Sequence, residues 1–229
     1  MRYTLVVGTR NWSSWSLRPF VALKATGAPY EIIDIRLRQF ESPTTREQIL
    51  KHSPAGKVPV LKIEDGANTL TVWDSLAICE TLAERHPEAG LWPRDLNTRA
   101  IARSYSSEMH SGFPDLREQL SMDFVRKKEL PELRDDTKTQ IARILSSWDS
   151  ALSQYKGEFL FGNLSVADCM YAPVVSRFRT FGVETSKPVA AYMERVMALP
   201  AMQEWMKAAQ AEVDAGLPLT MPPLRYHDS

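Results

Sequence analysis

The stretch Asn11-Trp12-Ser13-Ser14-Trp15-Ser16-Leu17-Arg18-Pro19-Phe20 constrains this chain more than any other. It follows a short apolar run, Tyr3-Thr4-Leu5-Val6-Val7-Gly8, that reads as a buried strand, and precedes Val21-Ala22-Leu23-Lys24-Ala25, which reads as helix. Three hydroxyls therefore stand at a strand-to-helix turn. The first N–H groups of a helix have no partner within it, and the helix dipole makes that end electropositive. An anion, a thiolate included, is stabilised there. The same letters suit plain capping of the helix by one serine, and on this stretch alone capping carries the greater weight.

The rest of the chain bounds the answer. At 229 residues it suits one large domain or two small ones, and 44% hydrophobic residues suffice for a core. Lys+Arg and Asp+Glu are both 28, so the formal net charge is zero and no nucleic-acid partner is expected. No apolar run reaches membrane-spanning length, so no membrane partner is expected either. The apolar stretch behind Arg2 is broken at Gly8, too short for a signal-peptide core. Cys79 and Cys169 each lie inside an apolar helical pattern and read as buried small hydrophobes. His52, His86, His110 and His227 show no metal-ligand spacing, so no metal is expected. A cytoplasmic protein fits these features.

The first third alternates strand and helix. Strand at 3–7, helix at 15–26 closed by Gly27, and a β-rich run at 30–35 make a βαβ unit with parallel pairing. A polar connector, irregular or briefly helical, spans 38–50. The run 58–63 reads as a strand with Pro59 at its start, a position that strands tolerate. Asp65-Gly66 is a turn signal, and 69–73 is the returning strand of a hairpin. Asp74-Ser75 then caps a helix carrying Leu76, Cys79, Leu82 and Ala83 on one face. Residues 87–97 are rich in turn formers and form a linker. Beyond it the pattern is helical. Ile101, Tyr105 and Met109 recur at four-residue spacing, Gly112 and Pro114 break the helix, and it resumes towards Met122. The strongest helix, 135–155, carries a stripe of Ile141, Ile144, Leu145, Trp148, Leu152 and Tyr155. Ser165-Val166-Ala167-Asp168 is a capping-box pattern and reads as structural. Pro188 and Pro200 each fall at a first helical turn. The tail from Gly216, with Pro218, Pro222 and Pro223, reads as non-helical surface chain. The expected architecture is an α/β domain at 1–86, a linker at 87–97 and an all-helical domain at 98–229, with the tail included.

This order, with proline heading the third strand, an acid–serine cap on the next helix and a Ser-x-x-Asp box in the helical part, resembles the cytosolic glutathione transferases. Three motifs carry the resemblance: Ser13-Ser14-Trp15-Ser16-Leu17-Arg18, Pro54-Ala55-Gly56-Lys57-Val58-Pro59-Val60-Leu61, and Asp74-Ser75 with Ala77-Ile78. The serine turn is most similar to the zeta class, whose turn reads Ser-Ser-Cys-x-x-Arg; Trp15 stands where that class has cysteine. The resemblance implies a thioredoxin-like first domain, glutathione as co-substrate, a small electrophile as second substrate, a homodimer and a detoxifying transferase.

It also implies roles. Lowering the glutathione thiol pKa by about two units takes about 2.7 kcal/mol of preferential anion stabilisation, which a serine hydroxyl and a helix N-terminus can supply. Ser13 and Ser14 are the candidate thiol activators, with Ser13 falling on the family's first serine. Val58 and Pro59 resemble the family's cis-proline dipeptide, which pairs with the cysteinyl backbone of glutathione. Asp74 and Ser75 suit the γ-glutamyl ammonium and carboxylate. Lys57 or His52 suits the glycine carboxylate. Trp12, Trp15, His110 and Arg177 are candidates for the second-substrate pocket, beside Met109, Phe113, Met122 and Phe124. In the zeta class an arginine after the Ser-x-x-Asp box holds a substrate carboxylate; here Thr180 occupies that place, which speaks against zeta-type maleylacetoacetate isomerisation. Two rivals remain: a glutathione-dependent cis-trans isomerase, and a glutathione-fold binding protein without turnover.

Overall fold

The computed structural model describes residues 1–218 and residue 221. Pro222, Pro223 and His227 lie outside the described residues. The α/β part runs β1 (Arg2–Gly8), α1 (Ser14–Ala25), β2 (Tyr30–Ile35), α2 (Thr45–Leu50), β3 (Val60–Asp65), β4 (Asn68–Trp73) and α3 (Ser75–Arg85). The sheet order is β2-β1-β3-β4. β1 pairs parallel to β2, while β3 runs antiparallel to both β1 and β4. This is a thioredoxin-like arrangement, and it follows from the chain order: a helix-length crossover permits a parallel pair, and the tight Asp65-Gly66 turn forces an antiparallel one.

A short 3-10 turn, Pro87–Ala89, leads into the helices α4 (Leu96–Ser111), α5 (Pro114–Gln119), α6 (Asp135–Tyr155), α7 (Val166–Phe181), α8 (Lys187–Ala198) and α9 (Pro200–Asp214). α7 is the axis of this half. Fifteen of its sixteen residues are buried, as a helix apolar on all sides requires. Trp148 from α6 meets Tyr171, Phe178 and Tyr192 at ring separations of 5.4, 5.6 and 5.2 Å. α1 packs against α3, α7 and α9, so its N-terminus lies where the two halves meet.

Several expectations need correction. The third strand begins at Val60, not at residue 58, because Val58–Pro59 is a cis peptide outside the ladder. On α4 the buried face is Ala102, Ser106 and Met109, whereas Ile101 is 46% exposed. On α3 the buried positions include Ile78, while Leu76 and Ala83 are only partly covered. The helix after Pro114 ends at Gln119, short of Met122. It begins from Phe113, whose left-handed backbone (φ 60°) re-aims the chain after Gly112.

Candidate active site at the domain junction

The serine turn divides its labour. Ser13 is the N-cap of α1: its Oγ accepts from Ser16 N–H at 3.4 Å and donates to Ser16 Oγ at 2.8 Å. Ser16 Oγ in turn accepts from Gly8 N–H at 3.1 Å. The two hydroxyls thus staple the end of β1 to the first turn of α1, and the Ser13 proton is engaged. Ser14 has a different partner. Its Oγ accepts from Arg177 Nη2 of α7 at 3.4 Å, and its own hydrogen has no acceptor among the described residues. Both serines are more than nine-tenths buried. No acid stands in the first turn of α1.

Positive charge gathers beside Ser14. Arg18, one helical turn further along α1, is fully buried, and its Nε and Nη1 have no hydrogen-bond partner among the described residues. Its guanidinium carbon lies 4.2 Å from the Trp15 ring centroid, and that of Arg117 lies 4.7 Å away. Arg117 spends Nη2 on the carbonyls of Met109 and His110, and its buried Nε has no hydrogen-bond partner among the described residues. Arg177 is 4% exposed and also donates through Nε to Leu120 O at 2.8 Å. Burial lowers all three arginine pKa values, and proximity to Arg117 adds to the effect on Arg18 and Arg177; Arg177 is brought to about 9. Such a cluster is electrostatically costly unless an anion joins it.

Across the cleft, Asp74 caps α3. Its Oδ1 accepts the N–H groups of Leu76 and Ala77 at 2.9 and 3.2 Å, from a backbone with φ 76°. Its other oxygen, Oδ2, lies 3.2 Å from His110 Nε2 on α4. The His110 ring stands edge-on to Trp15 at 5.3 Å, and burial pushes its pKa down. Ser75 is 1% exposed, and its Oγ has no partner among the described residues. Val58 is half-buried beside the cis bond and Lys57 is exposed. The buried Nδ1 of His52 has no hydrogen-bond partner among the described residues, and its pKa is lowered by burial and then by Lys62 and Lys51.

The other expected second-substrate residues separate clearly. Trp15, 37% exposed, His110 and Arg177 come together at the serine turn. Trp12, Met109, Phe113, Met122 and Phe124 are buried in the core. Thr180 is buried and donates to Asp123 O at 2.8 Å, so it braces a loop.

Residues that the sequence reading passed over hold the turn from the helical side. Glu212 of α9 accepts the N–H groups of Arg10 and Asn11 at 2.8 and 2.9 Å. Trp205 donates to Arg10 O at 2.8 Å. The Asn11 side chain donates to Asp123 and accepts from Val125 N–H, and its carbonyl accepts from Phe124 N–H. The signal available for Arg18 was its i+4 spacing from Ser14 on a turn without acids. Glu212 left no local signal, since its partners are backbone groups far away in sequence, and the link from Asp123 to the turn runs through the side chain of Asn11, 112 residues away.

A thioredoxin-like domain joined to a helical one, with a helix N-terminus, a cis-proline and a serine–guanidinium contact at the junction, defines a two-domain thiol-site architecture. Known proteins sharpen that class. Residues 12–85 match the family model "Glutathione S-transferase, N-terminal domain", and residues 131–208 match "Glutathione S-transferase, C-terminal domain". The maleylacetoacetate isomerase of Rattus norvegicus is 31% identical, over 91% of this chain and 94% of its own. A glutathione transferase homolog from Burkholderia gl BGR1, solved with bound glutathione, superimposes with a TM-score of 0.67 at 27% identity, covering 92% of this chain and 99% of that one. The maleylacetoacetate isomerase of Anaeromyxobacter dehalogenans, solved with dicarboxyethyl glutathione and citrate in its active site, gives 0.67 at 27% identity, covering 94% and 98%. The chain belongs to the glutathione S-transferase family.

Proposed function

We propose that this chain is a serine-type glutathione transferase in which Ser14, not Ser13, donates its hydroxyl hydrogen to the glutathione sulfur. The observation that carries this reading is the difference between the two serines. Ser13 has its hydrogen on Ser16, whereas Ser14 receives a guanidinium donor on its oxygen and keeps its hydrogen to give. The thiolate then attacks a small electrophile presented from the helical side, with Trp15, His110 and Arg117 around it. Val58, before the cis bond, pairs with the cysteinyl backbone of the tripeptide. The unspent Ser75 hydroxyl and the start of α3 take the γ-glutamyl carboxylate, and Asp74 takes the ammonium. Lys57 or His52 meets the glycine carboxylate. Residues 1–86 form the glutathione-binding domain in this reading, and the helical domain follows the linker at 87–97.

A homodimer belongs to the same reading. Leu70 and Trp73 on β4, and Leu96 and Ile101 on α4, are large apolar side chains between 46% and 73% exposed, a surface suited to cover by a second copy. A cytoplasmic, detoxifying role rests on family membership alone.

The test is a titration of bound glutathione, following thiolate absorbance against pH, in the wild type, Ser13→Ala and Ser14→Ala. The expected result is a bound thiol pKa well below that of free glutathione, restored towards it in Ser14→Ala and largely kept in Ser13→Ala. Binding with no pKa change in any of the three sinks the transferase mechanism and favours a binding protein. A second reading, glutathione-dependent cis-trans isomerisation, is favoured by the isomerase relatives and by Arg117, which could hold a substrate carboxylate although Thr180 cannot. It predicts turnover without net loss of glutathione, measured as free thiol before and after the reaction.

A further inference from the structure

We infer that Arg177, backed by Arg18 and Arg117, supplies the counter-charge for the bound thiolate, so that the sulfur is the anion this cationic cluster lacks. The inference rests on the transferase reading and assigns its electrostatics to residues outside the α1 turn as well as to the turn itself.

Four observations meet here. The Arg177 guanidinium is buried and lies 3.4 Å from the Ser14 hydroxyl oxygen. Arg18 stands on the same face of α1 as Ser14, fully buried, with two guanidinium nitrogens lacking partners among the described residues. Arg117 adds a third guanidinium, held against the Trp15 ring, whose buried Nε has no hydrogen-bond partner among the described residues. Against these three charges the cleft presents Asp74, whose carboxylate already caps α3 and meets His110.

Buried arginines normally find carboxylates. A structure that buries them together, short of carboxylate, at the mouth of an anion-favouring helix end is built for an anion that arrives. A thiol docked on Ser14 loses its proton to solvent, and the negative charge left on sulfur balances part of the cluster. No covalent bond forms in this step. Arg177 has two linked effects. Its N–H fixes the Ser14 oxygen as acceptor, which turns the hydroxyl hydrogen outward, and its charge favours the ionised sulfur. It is therefore a positioning residue that also contributes field, whereas Ser14 touches the sulfur.

The experiment measures the pKa of bound glutathione by thiolate absorbance in the wild type, Arg177→Met, Arg177→Lys and Arg117→Met, with glutathione affinity read by calorimetry on the same samples. The expected result is a rise of at least one pKa unit in Arg177→Met, which is tenfold less thiolate at any pH below both values. Arg177→Lys, which keeps the charge, recovers half or more of that shift. Arg117→Met gives a smaller rise in the same direction, and it carries the test if Arg177→Met does not fold. S-methylglutathione, which cannot ionise at sulfur, loses no more than about twofold in affinity in these variants. A bound thiol pKa that stays at its wild-type value in Arg177→Met and Arg117→Met, while Ser14→Ala raises it, overturns the inference and leaves the transferase reading standing. A wild-type bound thiol with the pKa of free glutathione overturns both.

Discussion

Two described helices, α1 and α7, have a buried serine as N-cap, Ser13 and Ser165, and they end up doing opposite things. At the start of α7, Asp168 accepts from Leu160 N–H, Ser165 N–H, Ser165 Oγ and Tyr192 Oη, between 2.8 and 3.1 Å. Four donors at this end are answered by one carboxylate. The first turn of α1 has no acid; one serine caps, the next keeps its hydrogen, and nitrogens of Arg18 and Arg117 have no hydrogen-bond partner among the described residues. The helix dipole is the same at both ends. What separates a structural cap from a chemical site is whether the demand for negative charge is met inside the chain. α7 meets it with its own aspartate. In the proposed reading, α1 leaves it for a ligand.

Removing the answer at α7 is the harshest test of this contrast. Asp168→Ala strands four buried donors, and the expected cost is about 3–5 kcal/mol in urea unfolding. A loss below about 1 kcal/mol would show that the box is not the structural end of the pair. The carboxyl also titrates in a definite direction. Burial outweighs its hydrogen bonds and pushes its pKa up to about 6. A carboxyl raised above its unfolded value binds its proton more tightly when folded. Unfolding free energy therefore falls as pH rises from about 4 to about 6, by about 3 kcal/mol, and is level with respect to this group above that. Asp168→Asn removes this slope, which unfolding at pH 4, 5, 6 and 7 checks.

The α7 end was legible from letters alone, because a capping box is local: four residues, two of them hydrogen-bonding. So were α6, whose wide apolar stripe marks 135–155, and the βαβ unit, whose strand and helix lengths leave little choice. The α1 end was only half legible. The letters Ser13-Ser14 announced a site but could not divide the roles, because a one-residue shift in the turn exchanges cap and donor. The cap torsions and Arg177, 163 residues away along the chain, make the difference. That Arg18 and Arg117 are buried with nitrogens lacking a hydrogen-bond partner among the described residues was not legible for the same reason: it is a property of what fails to surround them. Ile101 was misread because four-residue spacing reports a helix face without saying whether protein or solvent covers it.

The serines themselves give the next largest effect, and it separates along the contrast. Ser14→Ala is expected to lower kcat/KM for glutathione with 1-chloro-2,4-dinitrobenzene about 100-fold, equivalent to about 2.7 kcal/mol, with unfolding free energy changed by less than about 0.5 kcal/mol. Ser13→Ala does the reverse: it removes the cap, costs about 1 kcal/mol of stability, and lowers kcat/KM less than about fivefold. Equal losses of activity in both variants would make the turn a single unit and erase the division between cap and donor.

Asp74 offers the finest cut, because one carboxylate serves both kinds of end. Its Oδ1 caps α3, a structural duty like that of Asp168, while Oδ2 lies 3.2 Å from His110 and, in the proposed reading, takes the γ-glutamyl ammonium. Asp74→Asn separates them. Asparagine retains an acceptor oxygen for Leu76 and Ala77 N–H and tolerates positive φ better than most residues, so the cap survives. The negative charge is lost, and with it the attraction for the γ-glutamyl ammonium. The expected outcome is a rise of about fivefold in the glutathione dissociation constant by calorimetry, close to 1 kcal/mol, with thermal stability nearly unchanged. His110 sharpens the test. Its Nε2 lies 3.2 Å from Asp74 Oδ2 in the free protein, and burial lowers the pKa of the ring, so an incoming ammonium competes with a weakly held partner. His110→Ala therefore changes glutathione affinity less than Asp74→Asn does. The opposite ranking would mean that α3 ends in a structural cap alone and that the tripeptide is held elsewhere.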